Sequence, residues 1–107
     1  MTHDEYMSRD ALGLAQLVRD GAVTPAELLD IALERTQRLN PRINAVVHLM
    51  EEDARRDAAS PPAGAPFAGV PFLAKDLQST YAGHPTSAGS RLLKDLVIDH
   101  DSDLVRK

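Results

Sequence analysis

The chain contains no cysteine and no tryptophan among its 107 residues. Without thiols, disulfide bracing, thiolate nucleophiles and zinc–thiolate sites are excluded. Aromatic side chains are confined to two tyrosines and two phenylalanines, Tyr6, Phe67, Phe72 and Tyr81, so any core must be aliphatic. No apolar run approaches the roughly 20 residues that a membrane helix needs. The amino terminus, Met1 to Tyr6, has neither a basic start nor an apolar centre and does not read as a secretory signal. Positive charge is also short: twelve Lys and Arg against sixteen Asp and Glu leave a formal net charge of -4. That balance disfavours nucleic acid and anionic membranes as partners, because both are held by basic patches. His3, His48, His84 and His100 are scattered, with no His-x-x-x-His spacing, and no glycine-rich nucleotide-binding run occurs. No metal or other cofactor is expected. The default is a cytoplasmic protein of one small domain.

What is present begins with helix signals. Ala11, Leu14, Leu17 and Val18 recur at helical spacing, with Ser8 as an expected cap and Gly21 placed to end the helix. The second start is clearer. Thr24-Pro25-Ala26-Glu27 offers a cap, a proline at the first helical position and a glutamate that reaches back to the cap amide. Leu28, Ile31, Ala32, Arg35 and Leu39 carry that helix forward, and Asn40-Pro41 is expected to stop it. Asn44 to Val47 is a short strand candidate. Leu49 to Ala59 reads as a solvated helix with the acid-then-base pairs Glu51-Arg55 and Glu52-Arg56. Ser60 to Pro66 is a loop, and Gln78 to Thr86 is polar and irregular. Ser87 to Leu96 offers a short helix, and Asp99 to Asp103 reads as the start of another.

The most informative run is Gly69-Val-Pro-Phe-Leu-Ala-Lys75-Asp76. Val70 to Ala74 is expected to form a buried strand that delivers Lys75 to a sheet edge, where ligands of open α/β sheets collect. Burial disfavours a charged ammonium and so makes the amine available as a base. A strand-end lysine reaching into water accounts for the same spacing, and both readings stay open on the residues alone.

Residues 69–76 resemble the Gly-x-Pro-aliphatic-x-x-Lys-Asp segment of the amidase signature family. Asn40-Pro-x-Ile-Asn-Ala-Val46 is similar to the stretch between that family's second helix and first strand. Tyr81-Ala-Gly-His-Pro-Thr-Ser-Ala-Gly-Ser90 resembles its glycine- and threonine-rich loop, and His100-Asp-Ser-Asp-Leu-Val105 its next helix start. The resemblance spans roughly residues 8 to 107 in the family's own order. The Pro66 to Leu77 context leans toward the branch that includes 6-aminohexanoate cyclic-dimer hydrolase. The resemblance implies a Ser–cis-Ser–Lys hydrolase of small amides. A neutral lysine, here Lys75, takes a proton through a bridging serine, and a second serine attacks the carbonyl to form an acyl-enzyme. A serine hydroxyl is a poor nucleophile until a base relieves it of that proton.

The family's Gly-Gly-Ser-Ser-Gly-Gly motif, which carries both serines, does not occur in the 107 residues. Ser87 and Ser90 fall in the earlier loop of the resemblance and are excluded as nucleophiles; both are expected to cap the helix at Leu92. Asp76 is expected to accept bonds from loop amides and hold Lys75 in place, with a direct chemical role as the alternative. Thr86 either lines the substrate cleft or simply belongs to the turn beside Pro85. The expectation is therefore an α/β fold, residues 1–107 forming the incomplete N-terminal part of a mixed sheet flanked by helices, in a chain truncated before the serine loop. The expected partner is a small-molecule amide, with self-association through exposed apolar surface. The alternative is a non-enzymatic interaction module, or a remnant, associating through an open sheet edge.

Overall fold

The computed structural model describes residues 1–106, which form two units: Met1–Pro71, and a second beginning at Phe72. The first unit is helical. Helix α1 spans His3–Met7, α2 Ala11–Arg19, α3 Pro25–Ile43 and α4 Glu51–Ala58. The first three helices start where polar side chains can satisfy otherwise unbonded amides. Thr24 caps α3 by accepting from the Glu27 amide at 3.2 Å, while the Glu27 carboxylate accepts the Thr24 amide at 2.8 Å. These bonds also hold the Glu27 carboxyl below its ordinary range. Asp10, rather than Ser8, caps α2, accepting from the Gly13 amide at 2.8 Å. Ser8 instead ends α1, a helix whose Thr2–Glu5 capping box was legible in the sequence but lies outside the expected elements.

Leu14, Val23 and Leu28 form the buried centre of this unit, with Tyr6, Leu17, Val18 and Val70 packed against it. The core is thus aliphatic, as the scarcity of aromatics requires. Half-burial of Tyr6 raises its phenol above the ordinary range, and the nearby Arg35 charge opposes the shift. Helix α1 lies against α3, tied by a 2.8 Å contact between His3 Nε2 and Glu34. Helix α4 also meets α3, where Arg55 contacts both Asp30 and Glu51 at 2.9 Å. Arg56 pairs with Asp53 and lies 3.8 Å from Asp57.

The expected α/β architecture is overturned. The described residues are helical or irregular and contain no sheet; their strand-like pairing is one antiparallel bridge, Pro85 to Val97. Strand-forming sequence makes a sheet only when a second strand accepts its backbone bonds. Asn44–Val47 finds a side chain in that role: the Asn40 amide receives the Val46 N–H at 2.9 Å and donates to its carbonyl at 2.8 Å. Pro41 does not stop α3 either. It sits in the last turn, where its missing N–H sacrifices one bond, and Asn44 ends the helix in a left-handed conformation at φ 47°.

The second unit is held mainly by turns. Near the bridge, Gly83 N–H donates to Ile98 and Thr86 N–H to Leu96, each at 2.9 Å. Among the described residues of this unit only a 3-10 turn at Arg91–Leu93 and a short α5 at Asp103–Arg106 are helical, so the helix expected from Ser87 to Leu96 shrinks to three residues. Leu92, expected to face a core, is 91% exposed. No helix among the described residues is long and apolar enough to cross a membrane.

Gly69 closes the first unit. Its φ is +78°, and a Cβ placed there would lie 2.8 Å from Pro25 Cγ and 3.1 Å from Val18 Cγ1. Gly64 shares the unusual backbone, at φ +79°, but a Cβ there meets nothing within 4 Å. Gly69→Ala is expected to destabilise the unit by about 1–3 kcal/mol more than Gly64→Ala, because it adds overpacking to backbone strain. Denaturant melts of the two variants measure that difference, and equal losses would refute the steric account.

Candidate functional site

The segment bearing Lys75 leaves the first unit at Gly69 and Val70, where the glycine permits close approach to Val18 and Pro25. Arg19 steadies the preceding turn with a 3.3 Å bond from Nη1 to the Pro66 carbonyl. From Phe72 to Lys75 the backbone has no regular structure and the side chains are exposed. The expected buried strand is therefore corrected. Alternation along a strand buries one face only when another layer covers it, and no neighbouring strand covers this one among the described residues. Phe72 is 89% exposed and Leu73 70%. The Lys75 carbonyl accepts the Leu77 amide at 2.7 Å, and the turn continues through Gln78 at φ 69°.

The best-defined chemistry lies one residue beyond the lysine. Asp76 reaches across eleven positions to Ser87: one carboxylate oxygen accepts the Ser87 amide at 2.8 Å and the other accepts the Ser87 hydroxyl in a short bond. Ala88 and Gly89 follow in the left-handed region, at φ 49° and 70°. Successive amides turned inward by such residues form an anion-binding concavity, and here the anion is the chain's own carboxylate. The Ser87 hydroxyl chiefly, then the amides of Ser87, Ala88 and Gly89, hold the Asp76 carboxyl below the usual range, with burial acting in opposition. The expectation that Asp76 binds loop amides is met.

Ser90 does the capping work expected of it, accepting from the Leu92 amide at 3.3 Å. Ser87 does not; it is the Asp76 partner, a link that no local spacing rule reveals because the residues are far apart in sequence. Thr86 is half-buried, and its amide belongs to the bridge region. Tyr81 and His84 meet edge to face with centroids 5.9 Å apart. His100 contacts its neighbour Asp99 at 3.0 Å, and α5 begins beyond it at Asp103. The first unit carries an open groove of about 520 Å³ lined by Gln37, Asn40, Val46 and Leu49 among others, and no candidate site residue lines it.

The Asp76 geometry fixes a pH dependence. Because the folded carboxyl titrates below its unfolded value of about 3.9, its stabilisation is complete above that value and is lost as pH falls through the folded one. The Ser87 amide resonance is expected to move with that titration in acid. Asp76→Asn is expected to abolish the step, and an unchanged titration in this variant would refute the assignment.

A family model described as amidase matches residues 27–107. Lipoamidase of Enterococcus faecalis is 43% identical over 103 residues, covering 95% of this chain and 14% of that protein. The 6-aminohexanoate-cyclic-dimer hydrolase of Pseudomonas sp. (strain NK87) is 39% identical over 101 residues, covering 92% of this chain and 20% of that protein. A glutamyl-tRNA(Gln) amidotransferase component from Nitratidesulfovibrio vulgaris (strain DP4) is 41% identical over 104 residues, with the same coverages of 92% and 20%. No solved structure matches. The chain thus spans 14% to 20% of the length of these relatives. The matched region holds both the Lys75–Asp76 segment and the Ser87 loop that it grips, and on this agreement the chain belongs to the amidase family.

Proposed function

We propose that this chain supplies the general base of an amide hydrolase, with Lys75 in that role in a Ser–cis-Ser–Lys mechanism. The observation that carries the reading is the amidase family match over residues 27–107, a range that includes Lys75 and Asp76. The assignment of Lys75 itself rests on the resemblance of residues 69–76 to the family's Lys-Asp segment. In the proposed reaction the neutral amine takes a proton through one serine while a second serine attacks the amide carbonyl. The tetrahedral adduct collapses, the proton passes to the departing amine, and the acyl-enzyme left behind is hydrolysed by water to the carboxylic acid and the free serine. The Gly-Gly-Ser-Ser-Gly-Gly motif that carries both serines in the resemblance does not occur in the 107 residues. The bonds cleaved are carbon–nitrogen bonds of small, non-peptide amides, in keeping with the lipoamidase and cyclic-dimer hydrolase relatives. The setting proposed is the cytoplasm.

The exposure of Lys75 bears directly on activity. A general base needs a dry setting and a hydroxyl within roughly 2.6–3.2 Å. The described residues provide neither, so the chain alone is expected to be inactive.

A second reading rests on a different observation. Phe72, Leu73, Leu92 and Leu104 expose 69% to 91% of their surface, which suits a non-enzymatic module that associates through an apolar face.

Two assays test the leading proposal. Simple aryl and alkyl amides incubated with the 107-residue chain are expected to show no turnover; turnover lost in Lys75→Ala would overturn the claim of inactivity. Residues 1–107 grafted in place of the matching stretch of the Enterococcus faecalis lipoamidase are expected to sustain hydrolysis. Lys75→Ala in that graft is expected to lower kcat by about 10²–10⁴, the usual contribution of a general base. Retention of full kcat would remove Lys75 from the mechanism.

A further inference from the structure

We propose that Asp76 is a positioning residue for Lys75, acting through the loop at 87–89 and holding the backbone from which the amine projects. The proposal rests on the reading of Lys75 as the base. Its starting point is what does not hold the lysine. Phe72, Leu73, Ala74 and Leu77 around it are all exposed, so apolar burial fixes none of them. Among the described residues no strand pairs with this segment. Two polar restraints remain. The Lys75 carbonyl accepts the Leu77 amide at 2.7 Å, which closes a tight local turn. The Asp76 carboxylate then ties that turn to Ser87, whose own carbonyl accepts the Ser90 amide at 2.8 Å.

Consecutive Cα atoms are only about 3.8 Å apart, so anchoring Asp76 restrains the origin of the Lys75 side chain as well. Both carboxylate oxygens are engaged, which fixes the rotation of the carboxyl as well as its position. A hydrogen bond to an ionised group is stronger than a neutral one, and this carboxylate takes two from Ser87. The consequence for chemistry is geometric. Proton transfer needs the amine within hydrogen-bond reach of its hydroxyl, and a misplacement of about 1 Å costs roughly a hundredfold in rate. Asp76 touches no reacting atom in this scheme; it sets where the reacting amine starts.

Nuclear magnetic resonance of the 107-residue chain tests the restraint directly. Asp76→Asn is expected to lower exchange protection at the Ser87 amide by about tenfold or more. It is also expected to increase fast backbone motion at Lys75 while leaving Lys94 unchanged as an internal reference. Ser87→Ala should reproduce part of the effect, and Ser87→Thr, which keeps the hydroxyl, should restore the native behaviour. Lost protection with unchanged motion at Lys75 would overturn the positioning role, and absent protection in the unsubstituted chain would overturn the clamp itself.

The lipoamidase graft supplies the kinetic arm. There Asp76→Asn is expected to lower kcat about a hundredfold with KM changed less than about twofold, and Ser87→Thr to preserve native kcat where Ser87→Ala lowers it. Full kcat in the Asp76→Asn graft would overturn the positioning role alone. A graft that melts cooperatively yet shows no turnover before any substitution would instead overturn the reading of Lys75 as base.

Discussion

The carboxylate of Asp76 organises the part of this chain that carries its candidate chemistry. From Phe72 onward no described residue is fully buried, so the usual source of stability, apolar area withdrawn from water, contributes little there. Order in that unit comes instead from polar groups that satisfy one another across loops. Ser87 gives its amide and its hydroxyl to the Asp76 carboxylate, and Asp101 accepts the Ala82 amide at 2.8 Å in a similar way. Such bonds are directional but individually modest against the entropy of ordering a chain.

The first unit obeys a different rule. Leu14, Val23 and Leu28 are withdrawn from water, and the polar caps at Asp10 and Thr24 determine where the surrounding helices begin. Apolar burial there provides the driving force, while capping provides register. Gly69 joins the two principles. It is small because Pro25 and Val18 leave no room for a side chain, and it is followed by Val70, the last apolar residue packed on that core. The lysine segment therefore starts from a packed anchor.

Membership of the amidase family gives these features a chemical setting without supplying the whole site. An amine becomes a useful base only when water is excluded and a hydroxyl is held against it. Here Lys75 is exposed, while its neighbour Asp76 is already engaged with a preorganised loop. The Lys75–Asp76 segment is thus held by a local turn and by the Asp76–Ser87 hydrogen bonds, and the dry environment that a base would need is a separate requirement. A chain spanning 14% to 20% of its relatives can carry the first without the second.

Local chemistry was readable where cause and effect lie within one turn. Thr24, Pro25 and Glu27 announced the start of α3, and Ser90 its role as a cap, because a side chain can reach an amide two or three residues away whatever the rest of the protein does. The lysine motif likewise carried the family in its own residues. Val70 to Ala74 and Asn44 to Val47 have strand composition but no strand to pair with, so composition alone misjudged them. Pro41 looked like a stop and became the last turn, since its neighbours Asn40 and Asn44 supply the terminating bonds. The sequence by itself determined the helix starts, the aliphatic core and the lysine. Only the tertiary structure decided that Asp76 would find Ser87 and that Lys75 would face water. Contacts between distant residues, and the burial that follows from them, depend on how the whole backbone is folded.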